Sequence, residues 1–370
     1  MVSFMNLTPF LNDLEARIDP EQEDALQASW LCFSDGKFDG NCFMPARVPS
    51  SPAIEWPHVM TNDAISDLDT MVLQQLEICS NSLKNGTGEL LSVRPNYGCG
   101  IIPSIFGAEL FVMPYETDTL PATKPLKNGH DDLMAFIDSD RPDLQKGLAG
   151  LSFAFAERFL ECTKDYPKIR KYVHIYNPDL QGPFPLAESL WGSDIYYDIL
   201  DDPDDVLTVL SYLTDLYIRL LKEWKSSFPD FDGSHAVEWG LLHRGATVLR
   251  NDAVMNLSGD MYEELIRPYD ARIFREFGGI MHFCGRGHHY IRSASEIEGL
   301  YGFNLSQPDW NDMEIIYQNS VDKGLEIIGM PAYEVERAMK AGRPLRGLVH
   351  CGASLASWSA EMNIKDGRKV

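Results

Sequence analysis

The sequence predicts an α/β protein that folds as a single (β/α)8 barrel with an N-terminal helical extension. In the last third of the chain, four short apolar segments alternate with segments of helical periodicity about ten residues long, a pattern typical of parallel strands joined by helical crossovers. Strand candidates earlier in the chain bring the number of strands to eight. A doubly wound sheet is the alternative, because the pattern resolves the middle strands poorly.

Length and composition agree with one large domain. The chain has 370 residues, of which 44% are hydrophobic and 24% are charged, so it has the material for a sizeable core. Barrels of this kind routinely exceed the length of an average domain. We therefore assign residues 1–88 to the extension and residues 89–370 to the barrel.

The chain is strongly acidic, with 32 Lys and Arg against 55 Asp and Glu and a net charge of −23. A field of this sign repels phosphate backbones and anionic membrane surfaces, so we expect neither nucleic acid nor membrane as a partner. The seven cysteines are odd in number and scattered, which argues against a disulfide framework. The first residues lack the features of a signal peptide, and we expect a cytoplasmic protein.

The extension is predicted to contain one amphipathic helix. Its apolar residues recur at three- and four-residue spacing from Ile65 to Leu83, which places them on one face of a helix. Asn85-Gly86 is expected to end that helix. The Pro-rich stretch between Asp35 and Pro57 shows little periodicity and is predicted to be an ordered loop.

The middle of the chain contains fewer clear elements. Asp202-Pro203 is a helix start, with the aspartate as N-cap and the proline at the first helical position. Pro268 is expected to kink or split a second helix that runs to Phe277. The elements predicted in this region are strands at Leu90–Val93, Tyr172–Tyr176 and Thr247–Leu249 and helices that begin at Asp202 and Ser258.

The last third of the chain is the most regular. The predicted strands are Ile280–Cys284, Leu300–Leu305, Leu325–Gly329 and Gly347–Cys351, and the predicted helices are His288–Ile297, Met313–Val321 and Tyr333–Lys340. Residues 365–370 are expected to form a frayed, basic tail.

The sequence His282-Phe283-Cys284-Gly285 is the sharpest chemical feature. Residues two apart in a strand point the same way, so His282 and Cys284 share a face at the carboxyl end of their strand. Cys351 ends the last predicted strand in the same manner, and in a barrel these ends meet at one mouth. One histidine and two cysteines suit zinc and leave a fourth position open, as in catalytic sites. The alternative is that all three are core residues.

A site with two thiolates and one imidazole balances the charge of zinc and is a weak activator of water. It is better suited to a bound thiol, which zinc deprotonates while the sulfur stays nucleophilic. The chemistry expected is attack by that thiolate on an activated alkyl group.

Other polar residues lie at or near predicted strand ends. Glu238, Asp252 and Asn304 are candidates for catalytic or substrate-orienting roles, and a carboxylate among them could complete the zinc shell. The adjacent His288 and His289 do not face each other on a helix and are not assigned as ligands. His350 is expected to be structural.

Three segments of the chain resemble the uroporphyrinogen decarboxylase superfamily, over about residues 90–351. They are the Gly-Pro-Phe-Pro-Leu-Ala segment that begins at Gly182, the region from Asn251 to Arg272 with Arg-Pro-Tyr at 267–269, and the His-x-Cys-Gly strand with the strand–helix series that follows. The resemblance implies a single (β/α)8 barrel.

Within that superfamily the chain is most similar to the zinc-dependent, corrinoid-linked methyltransferases, whose motif is His-x-Cys followed at a distance by Cys. The resemblance implies that His282, Cys284 and Cys351 bind zinc. It also implies a methylcorrinoid on a corrinoid-binding partner protein as co-substrate, with a thiol acceptor or a methylated small molecule as the other substrate.

Two alternatives to this function are kept open. A metal-free decarboxylase of the tetrapyrrole type requires arginines at the mouth, for which the candidates are Arg94, Arg244, Arg250 and Arg286. The region before residue 90 lacks the Arg-rich motif of those decarboxylases, which counts against this alternative. The other alternative is a non-catalytic partner of a corrinoid protein.

Overall fold

The computed structural model describes residues 6–139, 142–201 and 203–352. Its first part is helical: α1 spans Thr8–Arg17, α2 Pro20–Ser34, α3 Thr61–Ala64 and α4 Leu68–Asn85. The Asp67 side chain caps α4, and Gly86 follows it with a φ of 68°, a left-handed conformation that glycine adopts without strain. The predicted amphipathic helix and its end at Asn85-Gly86 are therefore confirmed.

The predicted loop between Asp35 and Pro57 is ordered by contacts with both ends of the chain. Arg47 pairs with Glu23 of α2 and donates to the backbone oxygen of Thr87 at 2.6 Å. Phe43 forms an isolated parallel bridge with His350. These contacts hold the loop against the rest of the protein.

The next part of the chain alternates short strands and helices. Its elements are β1 (Ser92–Val93), α5 (Ile101–Ile105), β2 (Leu110–Phe111), β3 (Ala122–Thr123), α6 (His130–Ile137), α7 (Gly147–Cys162), α8 (Pro167–Tyr172), β4 (His174–Ile175), α9 (Pro183–Trp191), α10 (Ile195–Asp201) and α11 (Pro203–Ser227). Strands β1 and β4 pair in parallel, whereas β2 and β3 form an antiparallel pair. A parallel bridge joins Gln181, just after β4, to Arg250.

Two predicted strands in this part are shorter than expected. The strand predicted at Leu90–Val93 has only Ser92–Val93 paired. The strand predicted at Tyr172–Tyr176 is wrong at its start, because Pro167 begins a helix that ends at Tyr172. Pro203 is the first residue of α11 as predicted, and Asp202, its predicted cap, lies outside the described residues, as does the tail at 365–370.

The last part contains a parallel five-stranded sheet preceded by an antiparallel hairpin. The elements are β5 (His235–Glu238), β6 (Leu241–Arg244), β7 (Thr247–Arg250), α12 (Gly259–Met261), α13 (Arg267–Phe277), β8 (Gly279–Phe283), α14 (Ile291–Ala294), β9 (Leu300–Leu305), α15 (Met313–Gln318), β10 (Glu326–Met330), α16 (Ala332–Lys340) and β11 (Val349–Cys351). Strands β7 to β11 lie in chain order across the sheet. The predicted α/β class and the strand–helix alternation of this region are confirmed.

The register of the sheet brings polar side chains together. Arg250 pairs with His282, and His282 pairs with Asn304. Paired residues in parallel strands point to the same face, so these three side chains lie side by side at the carboxyl ends of β7, β8 and β9.

Two predicted helices are shorter in the structure, and a third is interrupted as predicted. The helix predicted at Met313–Val321 ends at Gln318. The helix predicted at His288–Ile297 is reduced to Ile291–Ala294, because Asn311 captures the backbone N–H groups of Gly287 and His288. The helix that leads to Phe277 is split before Pro268, as predicted, by a π-helical turn at Tyr262–Ile266.

The β5–β6 hairpin, which the sequence did not predict, packs inside the protein. Its Val237, Leu241 and Leu242 form one apolar cluster with α2 and with Val248 and Ile280 of the sheet. The larger apolar cluster joins the sheet to α4, α7, α9 and α11. Within the described part of the chain, no helix is long and apolar enough to cross a membrane.

Candidate metal centre

Three potential metal donors converge where β7 and β8 end. Cys284 Sγ lies 3.5 Å from His282 Nε2, and Asp252 Oδ1 lies 3.4 Å from the same nitrogen. One donor atom from each of the three residues lies within 4.8 Å of the other two. The His282 side chain is 11% exposed and that of Asp252 is 32% exposed, so the group is sheltered but reachable from solvent.

Asn304 fixes the orientation of the His282 ring. Its Nδ2 donates to the backbone oxygen of Ile328 at 2.6 Å, which leaves Oδ1 as the atom that faces His282. That oxygen accepts from His282 Nδ1 at 2.6 Å. The ring proton is therefore held on Nδ1, and the lone pair of Nε2 is directed toward Cys284 and Asp252. Such a partner on the second nitrogen is typical of metal-binding histidines.

The Asp252 carboxylate is held from two sides. Its Oδ1 accepts from the backbone N–H of Cys284 at 3.0 Å, and its Oδ2 accepts from Gln181 Nε2 at 2.7 Å. The same Gln181 nitrogen lies 3.1 Å from Cys99 Sγ. Gln181 is 8% exposed, so Asp252 is anchored by a residue that is itself buried.

The thiol of Cys284 is protonated in this environment. Burial raises its pKa to about 12, and the negative charge of Asp252 adds to the effect. Its sulfur lies 3.5 Å from Ser306 Oγ, which can accept the thiol proton. A divalent cation would displace that proton, since a coordinating thiol is deprotonated.

The donor set fits zinc. One thiolate and one carboxylate balance the 2+ charge, and imidazole, thiolate and carboxylate are all common zinc ligands. Three protein donors leave one coordination position for a substrate. The structure thus brings together two of the three predicted ligands, His282 and Cys284, and adds Asp252, which the sequence had placed among catalytic candidates.

Cys351 lies outside this group. It ends β11, from which β8 is separated by two intervening strands. Its backbone N–H donates to the oxygen of Phe43 at 2.9 Å. Burial raises the pKa of the Cys351 thiol and that of the half-buried Cys42 thiol. The expected convergence of Cys351 with His282 and Cys284 is not present here, and zinc ligation by Cys351 stays a prediction.

Glu238 is not one of the three metal donors and pairs with Arg250 instead. It is fully buried at the end of β5, where its Oε2 lies 2.8 Å from Arg250 Nη2 and its Oε1 accepts from the backbone of Val248. Asp179 also pairs with Arg250, at 2.6 Å. Glu238 therefore neutralises Arg250, and a direct catalytic role for it stays a prediction.

The four arginines of the tetrapyrrole alternative do not form one free cluster. Arg94 and Arg250 both pair with Asp179. Arg244 lies at the amino edge of the sheet, where its guanidinium stacks 4.2 Å from the ring centre of Tyr301. Arg286 is exposed in the turn after Cys284.

His350 and His288 form hydrogen bonds to backbone groups away from the metal donors. His350 is buried against Trp30, and its Nδ1 accepts from the backbone of Gly329 at 3.1 Å. His288 Nδ1 accepts from the backbone of Asp312. Neither residue belongs to the group of metal donors formed by the described residues.

Neither Gln181 nor Trp239 stands in a sequence pattern that marks it as a site residue. Gln181 lies in an irregular segment after β4, and the backbone bridge to Arg250 and the hydrogen bond to Asp252 place it at the site. Trp239 lies at the tip of the unpredicted hairpin, with its ring centre 5.3 Å from that of His282.

No family model and no curated protein sequence matches this chain. Among solved structures, it is similar to a methyltransferase from Methanosarcina mazei, with a TM-score of 0.62 and 13% sequence identity. The similarity covers 92% of this chain and 98% of that protein. The two chains therefore share a fold over nearly their whole length.

Proposed function

We propose that this protein is a zinc-dependent methyltransferase whose metal is held by Asp252, His282 and Cys284. The observation that carries the proposal is the cluster of three donors in which Asn304 leaves His282 Nε2 free to bind. The shared fold with a methyltransferase supports this function.

The proposal includes a closed (β/α)8 barrel of the uroporphyrinogen decarboxylase type. Strands β7 to β11 follow one another without the reversal of order that defines a doubly wound sheet. The Gln181–Arg250 bridge joins the segment after β4 to the edge of that sheet. The donors lie at the carboxyl ends of the strands, where barrel enzymes carry their active sites.

Each residue of the site has a distinct task in this proposal. Asp252, His282 and Cys284 hold the ion, Asn304 keeps the ring proton on Nδ1, and Gln181 fixes the carboxylate. Zinc in this position supplies Lewis acidity that lowers the pKa of a substrate thiol. Cys351 is proposed as a further donor on the strength of the family resemblance alone.

The resemblance also suggests the methyl donor, a methylated corrinoid on a partner protein, with a thiol as acceptor. Related proteins act in the opposite direction, from a methylated small molecule to the corrinoid. In either direction, the proposal requires one site for the corrinoid and one for the small molecule at the metal.

Free methylcobalamin tests this function. Zinc-loaded protein is expected to demethylate it in the presence of a thiol, which is followed by the change in visible absorption and by the methyl thioether formed. His282→Ala and Cys284→Ser are expected to abolish the reaction, whereas Cys162→Ser, a half-buried cysteine on α7, serves as the control. Protein that binds zinc yet leaves methylcobalamin and thiol unchanged would contradict the proposal.

A further inference from the structure

The tip of the β5–β6 hairpin contains a residue that its turn geometry disfavours. Trp239 and Gly240 form the two-residue turn, with φ angles of 54° and 75°. Turns of this kind favour Asn-Gly, because both residues take the left-handed conformation. A bulky residue there is uncommon and marks a candidate functional position.

The indole of Trp239 lies beside the metal donors. Its ring centre is 5.3 Å from that of His282, with the planes inclined by 68°, and the guanidinium of Arg250 lies 4.5 Å from its centre. The flanking Glu238 and Leu241 are fully buried, whereas Trp239 is only half-buried. Trp239 thus keeps some exposed surface, and its indole lies next to His282.

The charges beneath the indole are already compensated. Arg250 pairs with both Asp179 and Glu238, at 2.6 and 2.8 Å. The surface that Trp239 adds beside His282 is therefore aromatic carbon rather than a free charge. An apolar group of a ligand would gain from contact with it, whereas a hydroxyl group would lose hydrogen bonds to water.

We propose that Trp239 provides an apolar contact surface for a thiol bound beside His282 and selects thiols with an apolar alkyl end. This inference rests on the proposed function, in which a thiol binds at the metal centre. Trp239 is then a specificity residue, and the unfavourable backbone conformation is retained because it places the indole beside His282.

The test compares two thiols of similar length, propane-1-thiol and 2-mercaptoethanol, which end in a methyl group and a hydroxyl group. The full-length protein is loaded with cobalt(II), and thiol binding is followed by visible absorption. The variants are Trp239→Phe, which keeps an aromatic ring, and Trp239→Asn, which has the residue that the turn prefers. Cobalt stoichiometry is measured for each protein.

The wild type is expected to prefer propane-1-thiol by about tenfold, the usual scale for one apolar group in a pocket. Trp239→Phe should keep most of this preference, and Trp239→Asn should lower it to about twofold or less, with cobalt stoichiometry unchanged. Equal preference in all three proteins would overturn the role of Trp239 and leave the proposed function intact. Cobalt-loaded protein that binds neither thiol would refute the proposed function and the role of Trp239 with it.

Discussion

Replacing Asn304 by leucine removes the group that orients His282 while keeping a side chain of similar size. Two hydrogen bonds are lost, the one from His282 Nδ1 and the one to the Ile328 oxygen, both 2.6 Å long. Asn304 is 5% exposed, so water cannot readily replace it. The imidazole proton is then no longer confined to Nδ1, and Nε2 loses its fixed direction toward Cys284.

The expected loss of zinc affinity follows from what hydrogen-bond partners of ligating histidines contribute at other metal sites. Losing the hydrogen bond to a ligating histidine weakens metal binding by about 10- to 100-fold. The short, buried contact places Asn304 near the upper limit, so we expect about a 100-fold increase in the zinc Kd, which corresponds to about 2.7 kcal/mol. The two orphaned polar groups should also lower the free energy of unfolding by about 1 to 3 kcal/mol each.

The assay is competition for zinc between the protein and a chromophoric chelator at fixed pH. Asn177→Leu is the matched control, because Asn177 is equally buried and its hydrogen-bond partners are Pro178 and Lys225 rather than any of the three donors. We expect the control to lose stability without loss of zinc affinity. A zinc Kd for Asn304→Leu within twofold of that of wild type would refute the role of Asn304 in orienting His282 for metal binding.

Three further predictions concern the ligand set and the scaffold. In the same chelator assay, Asp252→Asn should weaken zinc binding more than Cys351→Ser does. A larger loss of zinc affinity in Cys351→Ser would show that Cys351, and not Asp252, is the third donor. Burial raises the pKa of Asp270 from 3.8 to about 7, so the folded state holds its proton more tightly than the unfolded state, and stability falls as pH rises from about 4 to about 7. The free energy of unfolding of Asp270→Asn, measured with urea, should therefore rise relative to that of wild type by on the order of 3 kcal/mol between pH 5 and pH 8. A difference between the two proteins that does not change with pH would contradict this. Gly279→Ala should lower the free energy of unfolding by about 3 kcal/mol or more, because the φ of Gly279 is 152° and an added Cβ would lie 1.9 Å from a β7 carbonyl oxygen. The control is Gly233→Ala, whose added Cβ meets nothing within 4 Å. This control should have little effect on the melting temperature.

The last third of the chain was predictable because its strands are short apolar runs between clear helices. The strand at Leu300–Leu305 has the predicted bounds. The β5–β6 hairpin was not predictable, since nearly all its residues are buried on both faces and give no alternation of apolar and polar residues. Its Trp-Gly turn also lacks the usual hairpin signal.

The candidate site was predictable only in part. The two-residue period of a strand placed His282 and Cys284 on one face. That Asp252 joins them depends on the pairing of Arg250 with His282, and that Asn304 supports the ring depends on the pairing of β8 with β9. Strand register of this kind is set by packing between distant segments, which one sequence does not specify. For the same reason, the position of Cys351 at a strand end was not enough to predict which residues lie beside it.

The zinc content of purified protein tests the central claim most directly. Wild type, His282→Ala and Cys284→Ser are produced in zinc-supplemented medium, passed through a desalting column and analysed for metal by mass spectrometry. Three donors at one site predict one zinc ion per wild-type chain and less than about a tenth of an ion in either variant. Absence of zinc from the wild type, or equal zinc in all three proteins, would contradict a metal centre at Asp252, His282 and Cys284.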